Sequence, residues 1–186
     1  MTLMTTDTDP ATLRAAYASF PTGVTAVCAE LEGELVGMAA SSFTAVSLDP
    51  PLVSVCVMHG SRTWQRLQEA TRLGVSVLAA DQGAACRALG AKEGDRFVGV
   101  DTAVTPEGAV LVRGAGVWLD CEVQGHLPAG DHEIVLLRVL GLDVDTLREP
   151  LVHLAGGFRD LTPRAPRRVE TLTAVAAAAA REGALS

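Results

Sequence analysis

Two stretches of this sequence carry residue types suited to binding chemistry. The first is Gly37-Met38-Ala39-Ala40-Ser41-Ser42, which runs on through Phe43-Thr44-Ala45-Val46-Ser47-Leu48 to Asp49-Pro50-Pro51-Leu52-Val53. Small side chains at Ala39, Ala40, Ser41 and Ser42 let a flat ligand approach the backbone closely. Their hydroxyl and N–H groups suit the polar edge of a heterocycle. The same residues also suit an ordinary strand–turn–strand over an apolar floor. The second stretch is His59-Gly60-Ser61-Arg62-Thr63. Ser61 reads as the N-cap of a helix running to about Ala70, with Trp64 and Leu67 on its buried face. Free N–H groups, the positive end of the helix dipole and the Arg62 guanidinium would together receive an anion such as a phosphate. A simple capped helix start is the alternative.

The chemistry that is missing narrows the reading. There is no GxGxxG, GxxxxGK[ST], HExxH or GxSxG, the motifs of dinucleotide folds, phosphate loops, zinc proteases and serine hydrolases. His59, His126, His132 and His153 show no metal spacing, and no nucleophile–base set stands out. An enzyme built from this chain would rely on a cofactor, with the protein supplying position and electrostatics. Cys28, Cys56, Cys86 and Cys121 lie far apart without a CxxC pair; buried, reduced thiols are expected.

Composition sets the frame. The chain has 186 residues, of which 48% are hydrophobic, enough for one domain with a real core. A net charge of −7 argues against nucleic acid or an anionic membrane as partner, because no basic stripe is left to neutralise phosphates. No apolar run reaches membrane-spanning length, and the first residues, with Asp7 and Asp9, do not resemble a signal peptide. A cytoplasmic protein is expected.

The elements that must position these stretches follow from periodicity. Asp9-Pro10 opens a helix whose face is Leu13, Ala16, Tyr17 and Phe20, and Pro21-Thr22-Gly23 ends it. Val24 to Ala29 and Leu35 to Ala39 form a hairpin about Gly33. The Pro pair makes a firm turn before strand Leu52 to Met58. Further strands are expected at Leu73 to Ala79 and around Val117 to Val123. Pro128-Ala129-Gly130-Asp131 reads as a turn, and His132 to Val144 as a strand apolar on both faces, so central. Asp81 caps a helix through Leu89, Leu151 to Leu154 is the last strand, and Gly156 to Arg159 reads as a glycine turn. Residues 1–161 form the domain; 162–168 read as a Pro/Arg linker and Glu170 to Arg181 as an Ala-rich helix. About eight strands with few helices, none strictly alternating, predict a mainly β protein: an antiparallel barrel with peripheral helices.

Several segments together resemble the flavin reductase-like family. They are Phe20-Pro21-Thr22-Gly23-Val24-Thr25, Val36-Gly37-Met38-Ala39 leading into Ser42 to Val53, Ser61-Arg62-Thr63-Trp64, Asp95-Arg96-Phe97, Gly130-Asp131-His132, and Pro150-Leu151 with Gly157-Phe158-Arg159. The likeness covers roughly residues 12–160 and is greatest to the small reductase components of two-component flavin monooxygenases. It implies a split β-barrel with a Greek-key antiparallel core, and a homodimer with flavin near the subunit interface. It also implies an NAD(P)H:flavin oxidoreductase that reduces FMN or FAD with NADH or NADPH and passes the reduced flavin to a partner monooxygenase. By the same resemblance Val36, Gly37, Met38, Ala39, Ser41 and Ser42 border the isoalloxazine. Cys56, Val57, Met58, His59, Ser61 and Arg62 follow the ribityl chain and phosphate, Phe97 closes the site, and His132 faces the nicotinamide. The sequence departs from the family at His153-Leu154-Ala155. Other readings from different classes are a flavin carrier or redox sensor without NAD(P)H activity, and an oxidase or oxygenase that keeps its flavin.

Overall fold

The structure is a computed structural model that describes residues 9–162. In chain order its elements are α1 (Pro10–Tyr17), β1 (Thr22–Gly23), β2 (Thr25–Leu31), β3 (Glu34–Ala40), β4 (Thr44–Leu48), β5 (Pro51–Met58), α2 (Arg62–Leu67), β6 (Leu73–Val77), α3 (Gly83–Leu89), β7 (Thr102–Val104), β8 (Val110–Val112), β9 (Val117–Ala129), β10 (His132–Val144), β11 (Val152–Leu154) and β12 (Gly157–Arg159). A short 3-10 turn, Ala80–Gln82, precedes α3. Seven strands form one antiparallel sheet in the order β3-β2-β6-β9-β10-β5-β4. Its two ends, β3 and β4, do not pair with each other, so the barrel is split. The mainly β architecture expected from the sequence is present, with more strands than the periodicity showed.

The β-branched content of β2 and β5 explains why these segments are strands, and burial explains their order. On β5, Val53, Val55 and Val57 point inward; on β10, Val135 and Leu137 do. They meet Val27, Val75, Leu119 and Cys121 from β2, β6 and β9, and α2 closes this core with Trp64 and Leu67. A second cluster gathers Val24, Ala26, Cys28, Leu78, Leu89, Val110 and Val112, with Phe97 and Phe158 packed on it. Strand β2 feeds both clusters with alternate residues, which is why it reads as a continuous apolar run. Each fully buried Val or Leu side chain contributes about 1.5–3 kcal/mol.

The central position expected for β10 holds: it lies between β9 and β5, with His132 opposite Met58 and Ile134 opposite Cys56. The turn before it is shorter than expected. Pro128 and Ala129 belong to β9, paired with Glu133 and His132, and only Gly130 and Asp131 make the loop. Gly130 takes a positive φ of 69°, which a two-residue hairpin requires and glycine accepts without strain.

Four other expectations are corrected. Thr44 to Leu48 forms an edge strand, β4, along β5. Gly157-Phe158-Arg159 is a strand paired with β11, because the reversal needs only Ala155 and Gly156, both at positive φ. The apolar face of α1 is not buried: Tyr17 is 72% exposed and Phe20 73%, since no described element of the chain covers it. Cys56 is exposed, unlike buried Cys28 and Cys121, because the strand's two-residue alternation turns it away from Val55 and Val57. Among the described residues no helix is long and apolar enough to cross a membrane. The linker and Ala-rich helix expected from 163 onward lie outside the described residues.

Candidate functional site

Strand β3 ends in small residues, β5 ends in Cys56-Val57-Met58, and β10 begins with His132. The antiparallel register sets His132 beside Met58, so all three strand ends converge. They enclose a cavity of about 320 Å³ lined by Met38, Ala39, Ala40, Ser41, Ser42, Cys56, Val57, Met58, Ser61 and His132. A larger cavity of about 570 Å³ adjoins it, sharing Met58 and Ser61. Val36, Gly37, Arg62 and Phe97 line this second space, together with Leu35, Thr63, Arg66, Lys92, Gly94, Asp95 and Arg96. Every residue singled out from the sequence lines one of the two cavities except His59. The backbone N–H of His59 instead donates to the carbonyl of Asp131 at 3.0 Å, tying the loop after β5 to the β9–β10 hairpin.

The local hydrogen bonds show which polar groups are already committed. The Ser42 hydroxyl donates to the Cys56 carbonyl at 3.0 Å and accepts from the Cys56 N–H at 2.9 Å, continuing the β4–β5 pairing beyond Thr44 and Ser54. Ser42 therefore shapes the wall with a hydroxyl that is spoken for. Ser61 caps α2 as expected, its hydroxyl accepting from the Trp64 N–H at 3.3 Å. That helix has only six residues, shorter than the sequence suggested. Arg62 is exposed and makes no side-chain hydrogen bond or ion pair among the described residues, leaving its guanidinium available.

The wall at Gly37 is held by Phe97, expected from the resemblance to close the site, and by Arg96, whose role the sequence did not disclose. Arg96 donates to the Gly37 carbonyl at 3.1 Å and to the Thr63 hydroxyl at 2.8 Å. One guanidinium thus binds β3, α2 and the loop after α3 together. Phe97, next in line, packs over Gly37 so closely that a Cβ there would stand 2.8 Å from its ring and 2.6 Å from the Cys28 sulfur. Glycine is required at 37 for that approach. The Asp95 carboxylate accepts from the Phe97 N–H at 2.8 Å and sets the turn. The triplet Asp95-Arg96-Phe97 was the available signal; its partners lie tens of residues away in sequence.

At the opposite end, His132 Nδ1 lies 2.7 Å from the Asp131 carboxylate. The hydrogen bond from His132, above all, holds the Asp131 carboxyl below the usual carboxylate range. An ionised Asp131 accepts, so Nδ1 carries the proton of this hydrogen bond. Burial pushes the Cys28 and Cys121 thiols up to about 12, which leaves both inert at neutral pH. No group of three His, Cys, Asp or Glu side chains among the described residues could hold a metal ion.

The arrangement offers a small-residue floor, a histidine over it and a cationic end. A flat heterocycle with an anionic tail fits the donor set: ring against the backbone of residues 38–42, tail toward Ser61 and Arg62. Comparison with known proteins meets this geometry. A family model, the flavin reductase like domain, matches residues 17–162. A flavin reductase of Pseudomonas putida is 36% identical over 151 residues, spanning 81% of this chain and 89% of the relative. HsaB of Rhodococcus jostii, the reductase subunit of a flavin-dependent monooxygenase, is 33% identical over 155 residues, 83% of this chain and 80% of its own. Among solved structures, the Streptomyces globisporus NADH:FAD oxidoreductase SgcE6 in complex with NAD and FAD fragments is 38% identical, with a TM-score of 0.83 over 89% of this chain and all of that one.

Proposed function

We propose that this chain, which belongs to the flavin reductase-like family, works in the two adjoining cavities, with the flavin ring over residues 38–42 and a nicotinamide beside His132. It is an NADH-dependent flavin reductase that supplies reduced flavin, FMN or FAD, to a partner monooxygenase. The observation that supports this placement is the meeting of three strand ends on one cavity: small residues of β3, Cys56 to Met58 of β5 and His132 of β10.

When bound together, the nicotinamide gives a hydride from C4 to N5 of the flavin, and no side-chain acid or base need touch it. What the chain supplies is position, worth several kcal/mol when reacting atoms are held about 3–3.5 Å apart. Ala39 and Ala40 let the ring lie on the strand. Arg62 holds the phosphate. With Nδ1–H donating to Asp131, the neutral form of His132 presents Nε2 as an acceptor for the nicotinamide carboxamide.

Assembly belongs to the same reading. Opposite the core, β5, β9 and β10 present Cys56, Met58, Leu127, Ile134 and Leu136 on one face with His132. Met58 is 58% exposed and Leu127 47%. An apolar face of this kind beside a site suits a second copy. The protein is expected to scatter light as a dimer of 19.3 kDa chains at micromolar concentration; a monomer mass would end the assignment.

The reaction is tested by mixing the protein with NADH and either FMN or FAD and following nicotinamide absorbance. Flavin-dependent NADH oxidation is expected. A protein that binds flavin and leaves NADH untouched would be a carrier or sensor instead.

A further inference from the structure

The larger cavity, about 570 Å³, lies on the far side of Met58 and Ser61 from the floor at residues 38–42. On the reading above, FMN spans from the floor at residues 38–42 across the shared edge at Ser61 to Arg62, leaving the rest of this space unfilled. Its lining carries Arg62, Arg66, Lys92 and Arg96 against one acid, Asp95, in a chain whose net charge is −7. Cations gathered round one cavity of an acidic protein mark a place for anionic ligand groups.

The four cations are not equivalent. Arg96 is committed to the Gly37 carbonyl and the Thr63 hydroxyl. Arg62 lines the larger cavity next to the shared Ser61, where on this reading the first phosphate falls. Arg66 is held by Glu34 at 2.8 Å in an exposed ion pair, which an incoming phosphate can replace because such pairs are weak. Lys92 makes no ion pair among the described residues. Leu35, Val36 and the ring of Phe97 give the same cavity apolar lining, surroundings that suit the faces of a purine.

We infer that Lys92 and Arg66 select FAD over FMN: they receive the second phosphate of the dinucleotide flavin, while the cavity between Leu35 and Phe97 receives its adenosine. Glu34 opposes this by holding Arg66. The inference rests on the flavin reading of the site. The adenosine diphosphate of NADH is the rival occupant, but the shared edge at Met58 and Ser61 makes this cavity continuous with the flavin floor.

Calorimetric titration with oxidised FMN and FAD, without nicotinamide, tests it. Lys92→Gln is expected to weaken FAD about tenfold, the size of one charge-assisted contact, and FMN less than about twofold. Glu34→Gln is expected to tighten FAD, which a merely structural role would not do. Equal losses for FMN and FAD would overturn the inference, as would a loss confined to the Michaelis constant for NADH, which would give the cavity to the nicotinamide cofactor. A wild-type protein that binds FAD more tightly than FMN yet fails to oxidise NADH would refute the reductase reading and leave this selection standing.

Discussion

The two ends of the site are built on different principles. At Gly37 the wall is clamped: Arg96 bonds β3 to Thr63 of α2, and Phe97 fills the space a Cβ would need. At His132 the wall is open: the ring is half-exposed, hangs from a two-residue hairpin, and faces Met58 on an apolar sheet surface. The clamped end is finished within the fold, so it can bind a ligand without ordering first. The open end takes its shape from one hydrogen bond to Asp131 and from whatever covers the sheet. Pre-organisation is therefore concentrated at the end proposed for the tail of the flavin, and adaptability at the end proposed for the nicotinamide.

The clamped end is the easier to break. Gly37→Val places carbon where the Cys28 sulfur and the Phe97 ring already stand. Overpacking of this kind costs about 3 kcal/mol or more, which for a domain of this size lowers Tm by about 6–12 °C. Thermal denaturation checks it; an unchanged Tm would mean that Phe97 moves freely and that the clamp is no clamp. At the seam of the two ends, Arg62→Ala is expected to weaken FMN by about 1.5–3 kcal/mol, the range of a charge-assisted hydrogen bond. Riboflavin, which lacks the phosphate, should bind as before. Fluorescence titration separates the two, and equal losses would remove Arg62 from the phosphate.

The same contrast marks what the sequence could disclose. The open end was largely legible, because β3, β5 and β10 are apolar runs bounded by turn residues, and family likeness put His132 at the head of its strand. Sequence alone had no reason to prefer His132 over His59 or His153. The clamp was not legible: Arg96 meets Gly37 across 59 residues, and nothing local signals it. β4 was missed because an exposed edge strand needs no apolar alternation. The exposure of Cys56 was missed because Leu52 to Met58 is apolar on both faces, which hides the direction each residue points. Pro128 was read as a turn, yet it sits within β9 opposite Glu133.

At the open end the first test is His132→Ala. If, as proposed, the ring orients the nicotinamide and moves no proton, its loss should lower kcat/KM for NADH about ten- to a hundredfold, or about 1.4–2.7 kcal/mol. Flavin affinity should change less than about threefold, since the proposed flavin site is made by β3 and Arg62. Steady-state kinetics on a folded, flavin-binding variant decide it. Wild-type kcat/KM would leave His132 as a strand-end residue with no part in nicotinamide binding.

The smallest effect is the sharpest probe of how the open end is ordered. Asp131 acts through His132, so its two substitutions should part company. Asp131→Asn keeps an oxygen that accepts from Nδ1–H, keeps the tautomer, and should lower kcat/KM for NADH by no more than about threefold, under ~0.7 kcal/mol. Asp131→Ala removes the acceptor, lets the ring turn, and should approach the His132→Ala value. The carboxylate itself offers a second measurement. Its hydrogen bond to His132 lowers it from the ordinary value of 3.8. A group depressed in this way contributes its order above the ordinary value and loses it only as pH falls through the lowered one. The pair is therefore intact across the whole neutral range, and kcat/KM should show no inflection from Asp131 there. Carbon-detected NMR should find the Asp131 midpoint below 3.8 in the wild type and moved back toward it in His132→Ala. An Asp131 that titrates alike in both proteins would show that the 2.7 Å contact does not persist in solution, and the open end would then owe its order to something other than the Asp131–His132 pair.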